Sequence, residues 1–151
     1  MAPAHAFERT RRVRFAHCDP AGIVFYPRYV EMLNDVVEHW FQHALGCSFA
    51  QLHLERALAI PVADLHCGFI APSRLGDALE AELQVQRLGR SSFTVAITLR
   101  HRQQPANPRL AAELTAVFVD MGTLRPVEIP ADLRAAMEAG SGQRPRADAA
   151  A

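Results

Sequence analysis

PRYVEMLNDVVEHWFQHALG, residues 27–46, decides the fold of this chain. Tyr29, Met32, Leu33, Val36, Val37, Trp40, Phe41, Ala44 and Leu45 recur at alternating steps of three and one. That rhythm lays one continuous apolar stripe along an α-helix. Arg28, Glu31, Asn34, Asp35, Glu38, His39, Gln42 and His43 take the positions between. Pro27 suits the first helical position and Gly46 the stop, and two histidines in the last turn suit the helix dipole. About 18 residues at 1.5 Å each predict a helix of roughly 27 Å. A stripe of that length needs a sheet, or several helices, to cover it.

The residues that follow supply a sheet. Residues 48–56 read as a short helical link. ALAIPVADLHCGFIA (57–71) is apolar and extended, with Pro61 marking an edge or a bulge. ALEAELQVQRL (78–88) sets Leu79, Ala81, Leu83 and Val85 against Glu80, Glu82, Gln84 and Gln86. FTVAITLRH (93–101) alternates in the same way, so each has one face for a core. QQPANP (103–108) reads as a turn, RLAAELTAVFVDM (109–121) as a central strand, and GTLRPVEIP (122–130) as a turn and a last short strand. ADLRAAMEAG (131–140) reads as a short helix. Ahead of the long helix, FERTRRVRFA (7–16) reads as a first strand with Phe7, Val13 and Phe15 on one face. Strands joined by short links are antiparallel. The predicted architecture is therefore α+β, a curved antiparallel sheet wrapped around one long central helix. One domain over 7–140 is expected, between a flexible 1–6 and a disordered, polar tail at 141–151.

Composition excludes several functions. Half of the 151 residues are apolar, and 16 basic residues balance 16 acidic ones. No global field recruits nucleic acid or an anionic membrane, and no apolar run reaches the roughly 20 residues of a membrane span. MAPAHAFERTRR has no apolar core of a secretory signal. Cys18, Cys47 and Cys67 are odd in number and widely spaced, against a disulfide framework. The expected location is the cytoplasm. His39 and His43 stand four apart, as two metal ligands on a helix do. Residue 40 is tryptophan, though, where a zinc-hydrolase helix has glutamate, so no metal is expected.

The segment leading into the helix carries the chemistry. In HCDPAGIVFYPRY (17–29), Asp19, Pro20 and Gly22 sit where a type I turn prefers them. An apolar run then leads to the helix mouth. On its own, an aspartate before proline is more often a turn residue than a reactive group. The whole string, placed ahead of a long helix, resembles the 4-hydroxybenzoyl-CoA thioesterase family of hotdog-fold acyl-CoA thioesterases. The resemblance spans roughly residues 7–138 in the order of elements, and its specificity lies in 17–29. It implies hydrolysis of an acyl-CoA without metal or other cofactor. The family acid corresponds to Asp19, and the family's donor to the thioester carbonyl is the backbone N–H of Tyr26. It also implies dimers whose sheets join side by side, active sites at the dimer interface, and assembly into a homotetramer, a dimer of dimers. Gly22, Phe25 and Pro27 belong to the substrate-binding wall of this segment, and His17 stands ready to orient the acid or the substrate. Free N–H groups at a helix N-terminus stabilise the oxyanion formed when a thioester is attacked. The carboxylate either attacks the carbonyl itself or activates a water.

RLGRSS (87–92) is the second candidate. Arg87, Arg90, Ser91 and Ser92 between two strands suit the phosphates of CoA, and the family holds the nucleotide near the corresponding turn. The alternative is a solvated hairpin with two surface arginines. In the hydroxybenzoyl-specific member an acid in the long helix recognises the phenol. The matching residue here is Asn34, which bonds without charge and argues against a 4-hydroxybenzoyl substrate. Asp35 lies about 100° further around the helix and is not expected to replace it. The function expected is hydrolysis of an aryl- or short- to medium-chain acyl-CoA. The competing readings are a hotdog enoyl-thioester hydratase, using His17 with Asp19, and a non-catalytic acyl-CoA binding protein.

Overall fold

The structure, a computed structural model, describes residues 7–139. The flexible and disordered segments expected at 1–6 and 141–151 lie outside the described residues, as does Gly140. Strands β1 (Phe7–Arg12), β2 (Leu58–Ala59), β3 (Val62–Phe69), β4 (Ala78–Leu88), β5 (Ser92–His101), β6 (Gln104–Val117) and β7 (Val119–Asp120) accompany helices α1 (Tyr26–His43) and α2 (Ala131–Ala139). Five strands form one antiparallel sheet in the order β1-β4-β5-β6-β3, and β2 pairs with β7 beside it. The α+β, helix-on-antiparallel-sheet architecture expected from the sequence is the one observed.

The apolar stripe of α1 is buried as its spacing requires, from Tyr29 through Phe41. It meets the inner faces of β4 (Leu79, Ala81, Leu83), β5 (Phe93, Val95, Ile97, Leu99) and β6 (Leu110, Ala112, Leu114, Ala116) in one core. Phe41 is fully enclosed, with its ring 5.4–6.3 Å from those of Trp40, Phe49, Phe93 and Phe118. A phenylalanine buried in this way contributes about 1.5–3 kcal/mol through area alone. Ser48 and Gln51 cap the turn at Gln51–Glu55 reciprocally: the Gln51 amide donates to Ser48 Oγ at 3.1 Å and the Ser48 amide to Gln51 Oε1 at 2.9 Å.

Three expectations are corrected. The first strand stops at Arg12, and a 3-10 turn occupies Phe15–His17. His17 Nδ1 accepts the Arg14 amide at 2.8 Å and closes that turn. The turn swings Phe15 out to 83% exposure, while Val13 stays in the core. QQPANP is not a turn outside the sheet, because β6 already begins at Gln104. Register shifts around Arg100 absorb the extra residues, so the prolines sit where no ladder N–H is demanded. Residues 122–130 form no strand. Pro126 makes one isolated bridge to Val119, and prolines at 126 and 130 leave too few donors for a ladder. The segment is tied instead by the Val127 amide to the Phe118 carbonyl and the Ile129 amide to the Arg90 carbonyl, at 2.8 and 2.9 Å.

Candidate active site

Residues 17–25 form a small hairpin that delivers the chain to the mouth of α1. Cys18 bridges Val24, and the Phe25 amide donates to the His17 carbonyl at 2.9 Å. At its tip, the Gly22 amide donates to the Asp19 carbonyl at 2.9 Å, and Gly22 takes φ +80°, a left-handed value that a Cβ would strain. Asp19 Oδ1 accepts the Ala21 amide at 2.9 Å, an Asx-type turn. The turn-capping role is thus real, and it occupies one oxygen. Oδ2 has no hydrogen-bond partner among the described residues.

Helix α1 begins at Tyr26, one residue before the expected Pro27, with Phe25 as N-cap and no side chain capping it. The Arg28 amide already donates to the Phe25 carbonyl at 2.8 Å, and Pro27 has no N–H to offer. The Tyr26 amide has no acceptor among the described residues. The first turn of the helix carries no acidic residue to offset the positive end of its dipole. Phe25 and Tyr26 are exposed, and the Tyr26 ring stands edge-on to Phe69 at 6.2 Å.

Behind the helix mouth lies a buried polar latch. Tyr29 Oη donates to Ser73 Oγ at 2.8 Å, and the Val24 amide donates to the Ser73 carbonyl at 2.9 Å. Burial holds the Tyr29 hydroxyl in its neutral form by raising its pKa. His17 makes no hydrogen bond to Asp19. Its Nδ1 belongs to the Arg14 amide. Burial, followed by the charges of Arg11, Arg14 and Arg28, lowers its pKa from 6.5.

A cavity of about 310 Å³ opens between α1, the 51–55 turn and the β3 side of the sheet, with Asn34, Val37, His53, Ile60, Val62 and Leu114 among its walls. Its lining is mainly apolar. The Asn34 side chain makes no hydrogen bond to any described residue, and it stands two helical turns, about 12 Å, from Tyr26. Asp19 and Tyr26 do not line this cavity. Asp35 is turned to the opposite side, where Arg9 and Arg11 both pair with it. His39 and His43 stack with ring centroids 4.0 Å apart, and His39 Nδ1 lies against the Arg9 guanidinium. A cation already holds the flank where a metal pair was considered. His53, Ile60 and Val62 carry no local signal in the sequence. His53 Nδ1 is fixed by the Leu58 carbonyl at 2.7 Å.

The second candidate keeps its geometry in part. Gly89, Arg90 and Ser91 connect β4 to β5, with the Gly89 amide donating to the Ser92 carbonyl at 2.7 Å. Arg90 is exposed, and Ser91 and Ser92 are half-buried beside it. Arg87 stands apart, 3.6 Å from Glu113 on the sheet surface.

Comparison with known proteins gives a consistent result. The model of the thioesterase-like superfamily matches residues 13–137. The 1,4-dihydroxy-2-naphthoyl-CoA hydrolase of Synechococcus elongatus is 30% identical over 100 residues, 66% of this chain and 73% of that one. The 4-hydroxybenzoyl-CoA thioesterase of Pseudomonas sp. strain CBS-3 is 27% identical over 134 residues, 85% of this chain and 95% of its own. The solved structure of a 1,4-dihydroxy-2-naphthoyl-CoA thioesterase from Synechocystis shares the fold with a TM-score of 0.81 at 20% identity, covering 87% of this chain and 95% of that chain.

Proposed function

The chain belongs to the thioesterase-like superfamily, and from that premise we propose that it hydrolyses an aryl- or short- to medium-chain acyl-CoA to the free acid and CoA. The observation that carries this reading is that one short segment holds both a carboxylate oxygen and a helix-initiating amide that have no hydrogen-bond partner among the described residues. The Tyr26 N–H is the oxyanion donor, and the helix dipole stands behind it. Such a donor typically supplies about 3–4 kcal/mol to the transition state. Asp19 attacks the carbonyl or activates a water through Oδ2, while Oδ1 stays on the Ala21 amide and fixes the rotamer. Gly22 shapes the turn, and Phe25 and Pro27 form the wall that keeps bulk water from the carbonyl.

The apolar cavity beside Asn34 suits the acyl group, with the Asn34 carboxamide as its neutral polar contact; at about 12 Å from the Tyr26 amide, it would serve a thioester seated across the proposed dimer interface. The relatives named for dihydroxynaphthoyl- and hydroxybenzoyl-CoA support an aryl group. Arg90, Ser91 and Ser92 hold the nucleotide, with Arg87 further off. The hydratase alternative needs His17 paired with Asp19, and the engagement of His17 with the Arg14 amide argues against it. The reading includes a dimer built through β3 and assembled further into a tetramer. Strand β3 is a sheet edge with Val62, Leu65 and Phe69 exposed, continuous through Phe69 with Phe25 and Tyr26 at the helix mouth.

The test is thiol release from benzoyl-, 4-hydroxybenzoyl-, phenylacetyl- and straight-chain acyl-CoAs. Turnover of an aryl or shorter acyl thioester supports the proposal. Loss of enoyl absorbance without thiol release points to the hydratase, and CoA binding with no turnover of any thioester points to the binding protein.

A further inference from the structure

The carbonyls of the 89–91 turn all point back into the molecule. The Arg134 guanidinium donates through Nη2 to the carbonyls of both Gly89 and Arg90. The Arg90 carbonyl also accepts the Ile129 amide at 2.9 Å, and the Ser91 carbonyl accepts the Phe118 amide at 2.8 Å. In a trans peptide the C=O and the following N–H point in opposite directions. Tying the Gly89 and Arg90 carbonyls to α2 therefore aims the Arg90 and Ser91 amides away from it. Neither amide has an acceptor among the described residues. Two successive outward amides beside an exposed guanidinium make an anion cradle.

We propose that Arg134 is a positioning residue for this cradle, holding the turn so that the Arg90 and Ser91 amides and the Arg90 side chain converge on a phosphate of CoA. The proposal rests on the reading that the nucleotide docks at this turn. Arginine suits the task because one terminal nitrogen of its guanidinium carries two hydrogens, one for each carbonyl. The side chain projects from a fixed base: the neighbouring Leu133 is fully buried, and Asp132 takes both Arg56 nitrogens, at 3.0 and 2.6 Å. Helix α2, which carries none of the expected site residues, thereby acquires a role in substrate binding.

The test measures CoA affinity by titration calorimetry for wild type, Arg134→Ala, Arg90→Ala and the double variant. Turnover of an acyl-pantetheine, which lacks the nucleotide, serves as control. Arg134→Ala is expected to weaken CoA about tenfold, the equivalent of one hydrogen bond, with acyl-pantetheine turnover unchanged. Because Arg134 acts partly through Arg90, the double variant should lose less than the product of the two single losses. Additive losses, or an equal loss on acyl-pantetheine, would overturn the positioning role. A loss in Arg90→Ala with none in Arg134→Ala overturns it too, while leaving docking at the turn intact. No loss in either variant overturns both the positioning role and the docking, and because binding is read without turnover, that result stands apart from any failure of hydrolysis.

Discussion

Asp19 holds the Ala21 amide with Oδ1, and its Oδ2 has no hydrogen-bond partner among the described residues. In the proposed reaction, a side chain clamped in this way loses little rotamer freedom. The neighbouring residues yield two predictions. The first concerns acid. His17 takes up a proton below its ordinary 6.5 when folded, whereas in the unfolded chain it does so at that value. Below pH 6.5 the unfolded state binds more protons, so stability falls as pH falls through that window. His17→Gln, which still offers an oxygen to the Arg14 amide and does not titrate, should flatten this decline in denaturant midpoints measured across the range. An unchanged slope would remove His17 as its source. The second concerns the latch. Tyr29→Phe leaves the buried Ser73 hydroxyl without its donor, and should cost about 1–2 kcal/mol in chemical unfolding.

The two edge strands of the sheet differ in how they meet solvent. Edge β1 carries Arg9, Arg11 and Arg12, a charged rim of the kind that blocks strand addition. Edge β3 exposes Val62, Leu65 and Phe69, with Asp64 as its one acidic residue and no arginine or lysine. Leu65→Lys in the middle of β3 should shift the assembly toward monomer in light scattering, and an unchanged mass would mean that β3 is not the contact. The elements legible in the sequence are those whose pattern is local. The stripe of α1 and the alternation in β4 and β5 follow from period alone. The turn at Asp19 and the helix mouth at Tyr26 lie within one short string, so the half of the proposed site that they form is readable too. The end of β1 is not, because a side-chain contact from His17 to a backbone amide overrides the alternation that included Phe15. The start of β6 is hidden by prolines that a bulge accommodates. The cavity walls come from α1, the 51–55 turn, β3 and β6, and Arg134 reaches Gly89 from 45 residues away. Such contacts are set by tertiary packing, which no window of sequence contains.

At the scale of the whole molecule, one core serves as the platform for the site. Phe41 stands where α1, β5 and the segment after β6 meet, against Trp40, Phe49, Phe93 and Phe118. Phe41→Ala should cost about 3–5 kcal/mol in unfolding experiments, and a much smaller cost would mean that the aromatic cluster relaxes around the gap. The platform fixes the helix, the helix presents the Tyr26 amide, and the hairpin brings the Asp19 carboxylate to the same loop. The decisive measurement is CoA release by Asp19→Asn against wild type, on the best thioester of the panel, with the unfolding midpoint recorded for both. Asparagine keeps an oxygen for the Ala21 amide, so the turn survives. Turnover should fall by at least about 100-fold at an unchanged midpoint. Turnover undiminished without the carboxylate would contradict a catalytic role for Asp19.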